Sequence, residues 1–144
     1  WVRRVRAQAY GAVTPDRGYG GHDEDQGQMG GISALMAIGL FSLTGNVDQN
    51  PSYEITSPIF DRIEITLDDR YYEKGKFVIQ TYHNSAGNCY IRQARLNGKP
   101  LHDFRFSHAD FSKGGLLELW MGPEPAKKWG IFPKKRSPRP VNQR

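Results

Sequence analysis

The sequence predicts an α+β fold, a short helical part followed by a small antiparallel β-sandwich-like part. Two observations predict it. Apolar residues recur every three or four positions in the first 44 residues and every second position from about residue 52 onward. Turn signals, namely Asn84-Ser-Ala-Gly87, Asn97-Gly98 and Gly114-Gly115, then divide the period-two runs. With 144 residues, 38% apolar, 24% charged and a mean hydropathy of −0.66, the chain has ordinary globular-domain composition.

Residues 1–10 read as a first helix, with Val2, Val5 and Ala9 on one stripe. Gly11 and Thr14-Pro-Asp-Arg-Gly18 end it. A second helix is predicted over residues 26–41, with Ile32, Leu35, Met36 and Leu40 along one face and Gly30, Gly31, Ala34 and Ala37 leaving the rest small. Glycine costs about 1 kcal/mol against alanine inside a helix, so such a helix is expected to have other backbone packed closely around it. The chain offers too few helices for that. Together with an opening at Trp1 that reads as mid-helix, this makes the sequence an expected piece of a longer protein.

From residue 52 the pattern changes. Ile63, Ile65 and Leu67 alternate with Glu64 and Thr66, a half-buried strand. Further strands are expected at 76–81, 90–96, 103–106 and 116–121. Asn97-Gly98 suits a two-residue hairpin, because both residue types accept positive φ.

Composition excludes several functions. No run of about 18 apolar residues is available for a membrane span. Trp1-Val-Arg-Arg-Val-Arg6 is not followed by the apolar segment of a secretory signal. Cys89 is the single cysteine, which excludes an internal disulfide and a cysteine-based zinc site and reads as an incidental thiol. His22, His83, His102 and His108 lack zinc-ligand spacing. The net charge of +5 belongs to one end: residues 127–144 hold seven of the 20 basic residues and no acid, leaving 13 basic against 15 acidic groups elsewhere. With Pro133, Pro138 and Pro140, residues 131–144 are expected to be an extended, mobile tail. It lacks the aromatic interleaving of a nucleic-acid contact, and no nucleic-acid partner is expected.

The chemistry-bearing stretch is Gly20-Gly-His-Asp-Glu-Asp-Gln-Gly-Gln28. Asp23, Glu24 and Asp25 lie just ahead of the second helix, whose positive end favours carboxylates by roughly 0.3–1 kcal/mol each. A capped helix with an acidic first turn is the plain structural reading. A calcium loop opening at Asp23 fails, because its twelfth position is Ala34 rather than glutamate. General acid–base work remains open. Inverting glycoside hydrolysis needs one carboxylate to deprotonate water and another, across the scissile bond, to protonate the leaving oxygen. Asp23 and Asp25 are too close in sequence to flank a sugar, so they fit one side of that reaction, as base and helper.

His22-Asp-Glu-Asp-Gln-Gly-Gln-Met29 with Ala37-Ile-Gly-Leu-Phe41 resembles the catalytic loop and helix of glycoside hydrolase family 92, calcium-dependent exo-acting α-mannosidases. Ser57-Pro-Ile-Phe-Asp61, Asn88-Cys-Tyr-Ile91, Leu96-Asn-Gly98, His108 with Gly114-Gly115, Met121-Gly122 and Trp129-Gly130 follow in the family's order. The resemblance covers residues 1 to about 130. It implies that residues 1–44 end an (α/α)6 barrel, that 45–130 form a C-terminal β-rich domain, and that the barrel's general acid and most calcium ligands lie outside this chain. It implies Asp25 as general base, Asp23 as assisting carboxylate, and His22 and Gln28 as substrate-binding residues. Further implications are a mannose-containing glycan as substrate, the rest of the parent enzyme as partner, and a secreted or periplasmic location. Ile32, Ser33 and Ser42 depart from the family's pattern at packing positions, and Ala126 departs from it near the end. The alternative is a carbohydrate-binding or scaffolding β-domain in which Tyr71, Tyr72, Tyr82, Tyr90, Phe104 and Trp120 stack on sugars.

Overall fold

The computed structural model describes residues 1–10, 14, 27–72 and 75–130. Helices α1 (Val2–Ala9) and α2 (Gln28–Ile38) come first, followed by strands β1 (Leu40–Phe41), β2 (Ser52–Ile55), β3 (Arg62–Leu67), β4 (Gly75–Tyr82), β5 (Tyr90–Leu96), β6 (Lys99–Leu101) and β7 (Arg105–Ser107). A short helix α3 (His108–Ser112) and the long strand β8 (Gly115–Gly122) complete the described elements. The fold is thus mixed α+β.

Two sheets form. β1, β2 and β7 make a three-stranded antiparallel sheet, and the second has five strands in the order β3-β4-β8-β5-β6. Its alternation is the one the sequence predicts: Phe77, Ile79 and Thr81 of β4 and Leu117, Leu119 and Met121 of β8 are buried on one face. These side chains share a core with Leu40, Ile55 and Phe106 from the smaller sheet. Phe77 and Phe106 stack across the gap with ring centroids 5.4 Å apart. Thr81, the buried polar residue of that face, donates its hydroxyl to the carbonyls of Phe60 and Asp61, both at 3.1 Å.

The expectation of a wholly antiparallel arrangement is corrected at one pair. β8 runs parallel to β4, with Phe77 opposite Gly115 and Tyr82 opposite Trp120, and antiparallel to β5. The chain between them passes through β5, β6, β7 and α3, a connection long enough for a parallel crossover. The Asn97-Gly98 hairpin forms between β5 and β6, with φ of 50° and 76° at its two turn residues. Asn97 also accepts the Leu116 N–H through its side-chain oxygen at 2.8 Å.

The helices differ from expectation too. In α1, Val5 is exposed, while Val2, Arg3, Arg6 and Ala9 are half-buried. Its inward face therefore keeps Val2 and Ala9 of the predicted stripe and adds two arginines, while Val5 turns outward. α2 stops at Ile38 because Gly39 turns left-handed at φ 78° and sends Leu40 into a strand. Among the described residues no helix is long and apolar enough to cross a membrane.

Candidate active site

The acidic loop is strung between α1 and α2, and the structure fixes both its ends. His22, Asp23 and Asp25 lie outside the described residues, as do Glu24 and Gln26. Gln28 is described, and it opens α2 with an exposed side chain. Of the four residues singled out from the sequence, the structure describes one and brings none together. The basic tail, 131–144, also falls outside the described residues.

α2 begins two residues later than periodicity predicts. Its N-cap is Gly27, left-handed at φ 77°, and its first turn holds no acid. Asp25 precedes the cap by two positions, so the reading of the acids as part of a capped first turn does not hold. At the other end of the loop, the Ser33 hydroxyl of α2 donates to the carbonyl of Tyr10, the C-cap of α1, at 3.1 Å.

One segment, residues 56–59, supports both helices. Thr56 N–H donates to the Gly39 carbonyl at 2.8 Å and Ile59 N–H to the Ala37 carbonyl at 3.0 Å. Pro58 is fully buried. Its carbonyl accepts from the guanidinium of Arg3, which also reaches Asn84 Oδ1 and donates to the Ser85 carbonyl at 2.8 Å. Burial pulls the Arg3 pKa down from its ordinary value, and nearby Cys89 and Asp61 oppose that shift. Sequence reasoning missed Arg3, because a buried guanidinium finds its acceptors through tertiary structure. The Ser57-Pro-Ile-Phe-Asp61 motif was its visible half.

Beside this support α1 and the sheets enclose a groove of about 1280 Å³, lined in part by Trp1, Arg3, Arg6, Asp61, Cys89 and Trp129. Arg3 Nε, Arg6 Nε, Thr56 Oγ1 and Ser57 Oγ are buried there without a hydrogen-bond partner. The Cys89 thiol is half-buried, and among the described residues the groove lining contains no histidine that would act as its base.

Other candidates resolve into structural roles. His83 and His102 are exposed, and His108 shares a 2.9 Å hydrogen bond with the Tyr53 hydroxyl. Burial pushes the Tyr53 phenol up from its ordinary pKa. Among the described residues no three His, Cys, Asp or Glu side chains converge on a point that could hold a metal ion. Two of the rings named for the sugar-stacking alternative pack on each other. Trp120 is stacked by Tyr82 from β4, centroids 4.8 Å apart, and covered by Arg95 from β5 at 5.2 Å. The Tyr82 hydroxyl donates to Glu118 at 2.9 Å, which raises its pKa.

Comparison with known proteins agrees with this architecture. Residues 1–123 match the glycosyl hydrolase family 92 catalytic domain. A family GH92 inverting mannosidase from Bacteroides thetaiotaomicron superposes with a TM-score of 0.74 and 31% identity, over 90% of this chain and 16% of its own. A GH92 α-mannosidase of the same organism, 24% identical, shares the fold with a TM-score of 0.77 over 91% of this chain and 16% of its own. An uncharacterized secreted glycosidase from Arthroderma benhamiae is 34% identical over 111 residues, 75% of this chain and 13% of that protein. The chain thus spans 13–16% of the length of these relatives. With most of its length matched in sequence and nine-tenths of it in structure, the chain belongs to glycoside hydrolase family 92.

Proposed function

We propose that this chain is the C-terminal part of an inverting α-mannosidase that removes terminal α-linked mannose from glycans. The observation that carries the reading is the family match over residues 1–123, which takes in the acidic loop and both helices beside it. The likeness to an inverting mannosidase supports it. In this reading residues 1–44 end an (α/α)6 barrel and carry the loop, residues 45–130 form the C-terminal β-rich domain, and residues 131–144 are a basic appendage. The remaining domains of the enzyme are its partner. The secreted relative supports a location outside the cytoplasm, secreted or periplasmic.

The Asp25 carboxylate takes a proton from water as the water oxygen bonds to the anomeric carbon. The bond to the leaving oxygen breaks on the opposite face, and that oxygen takes a proton from a carboxylic acid supplied by the rest of the enzyme. Asp23 accepts the water's other hydrogen and aims it. His22 and Gln28 bind mannose hydroxyls, a role that the exposed amide of Gln28 at the head of α2 supports. Calcium is the family's expected helper. Among the described residues no three His, Cys, Asp or Glu side chains converge to hold it, and no step here runs through it.

The test is Asp25→Asn in the full-length enzyme, with the anomer of the first product followed by NMR. A fall in kcat of about 10²–10⁴-fold, with β-mannose released first by the parent enzyme, is expected. Turnover by Asp25→Asn at the parent rate, or α-mannose as first product, overturns the assignment.

A further inference from the structure

We infer that Arg3 is a positioning residue for the catalytic loop, clamping α1 onto the residue 56–59 segment that also carries α2. The inference rests on the proposed role of that loop. A chain strung between two helices holds its carboxylates only as accurately as the helices hold each other. Here the two helices are tied in two places. Near the loop, Ser33 ties α2 to Tyr10 of α1. Away from the loop, both helices are pinned to the β-rich part over a few residues.

On the α2 side the pin is backbone. Ala37 and Gly39 carbonyls accept from Ile59 and Thr56, and Gly39 lies so close to Pro58 that any side chain would collide. On the α1 side, among the described residues, it is the side chain of Arg3. The Arg3 guanidinium bonds the Pro58 carbonyl, Asn84 Oδ1 and the Ser85 carbonyl, and Asn84 in turn donates to the Phe60 carbonyl at 3.1 Å. Three acceptors from two loops, one directly beside α2's own support, fix rotation as well as distance. A lysine, as a point charge on a flexible stem, does not reproduce that planar fork. Nor does the rest of α1 hold the helix firmly, since none of its residues is fully buried. Release of Arg3 therefore frees one arm of the loop while leaving the sandwich core of Phe77, Ile79, Leu117 and Leu119 intact.

The experiment compares Arg3→Ala, Arg3→Lys and Asp25→Asn in the full-length enzyme on an aryl α-mannoside, with hydrogen exchange followed in peptides spanning 11–27, 76–82 and 116–122. A misplacement of about 1 Å costs on the order of 10²-fold in rate, so kcat of Arg3→Ala falls by about that factor while KM stays within about threefold. Exchange rises in 11–27 and not in the β4 and β8 peptides. Added guanidinium restores part of the kcat of Arg3→Ala, and Arg3→Lys lies between the two. Parent-like kcat and loop exchange in Arg3→Ala overturn the clamp. Equal loosening of all three peptides with no rescue by guanidinium overturns it too, by making Arg3 a general stability residue. If Asp25→Asn keeps its turnover while Arg3→Ala loses rate and loosens only the loop, the clamp stands and another loop residue is the base.

Discussion

Gly39 sits against Pro58 so closely that a methyl group on Gly39 would stand 2.8 Å from the Thr56 carbonyl oxygen and 3.0 Å from Pro58 Cβ. The backbone at Gly39 is also left-handed, at φ 78°. Gly39→Ala meets both penalties, conformational and steric. A loss of roughly 1–3 kcal/mol in unfolding free energy is expected, measured by denaturant titration. An unchanged midpoint refutes the close contact.

Phe77 is wholly buried and stacks on Phe106, joining the two sheets. Phe77→Ala removes that bridge and leaves a cavity between the layers. Destabilisation of about 3–5 kcal/mol is expected, enough to abolish most marginal domains, and calorimetry measures it. Phe77→Leu keeps most of the volume and loses less.

How much of this was legible in the sequence depends on the range of the interaction. β5 was predicted with both ends correct, because Tyr90 to Leu96 alternates and Asn97-Gly98 follows at once. β6 was missed, since three residues including Pro100 give no period to count. The parallel pairing of β4 with β8 joins segments more than 30 residues apart, and alternation says nothing of which strand lies beside which. α1 shows the same limit at one side chain. Val5 fits the helical stripe and faces water, while Arg3 breaks the stripe and faces inward to acceptors 55, 81 and 82 residues away. The carboxylates of the acidic loop were legible by type and spacing, and their geometry lies outside the described residues.

Glu64 offers a pH prediction. Hydrogen bonds from Lys76 and Arg62, with N–O distances of 2.8 and 2.7 Å, hold its carboxyl down at about 2, below the ordinary 4.5. A depressed carboxyl stabilises the fold above its unfolded pKa, and that contribution disappears as pH falls from the ordinary value through the lowered one. NMR titration of the Glu64 side chain is expected to give a midpoint near 2, rising toward 4.5 in Lys76→Met. High salt weakens the shift, because both ion pairs are exposed.

Asn97 performs two tasks, accepting the Leu116 N–H and holding a left-handed turn position. Asn97→Ala loses the bond and keeps the backbone cost, so destabilisation of about 1–3 kcal/mol is expected by thermal unfolding. Asn97→Asp keeps the acceptor oxygen and is expected to fall in between. Equal stability of all three proteins refutes the assignment.

β8 enters the five-stranded sheet between β4 and β5, so the middle strand of that sheet is the last of its five to be made. Until residue 122 has emerged, the β3–β4 and β5–β6 hairpins have nothing to join them. The acceptors that Arg3 grips flank the first of these hairpins, Pro58 ahead of β3 and Asn84 and Ser85 after β4. During translation the turns that carry the acceptors of Arg3 are therefore made well before the strand that locks their hairpin into the sheet.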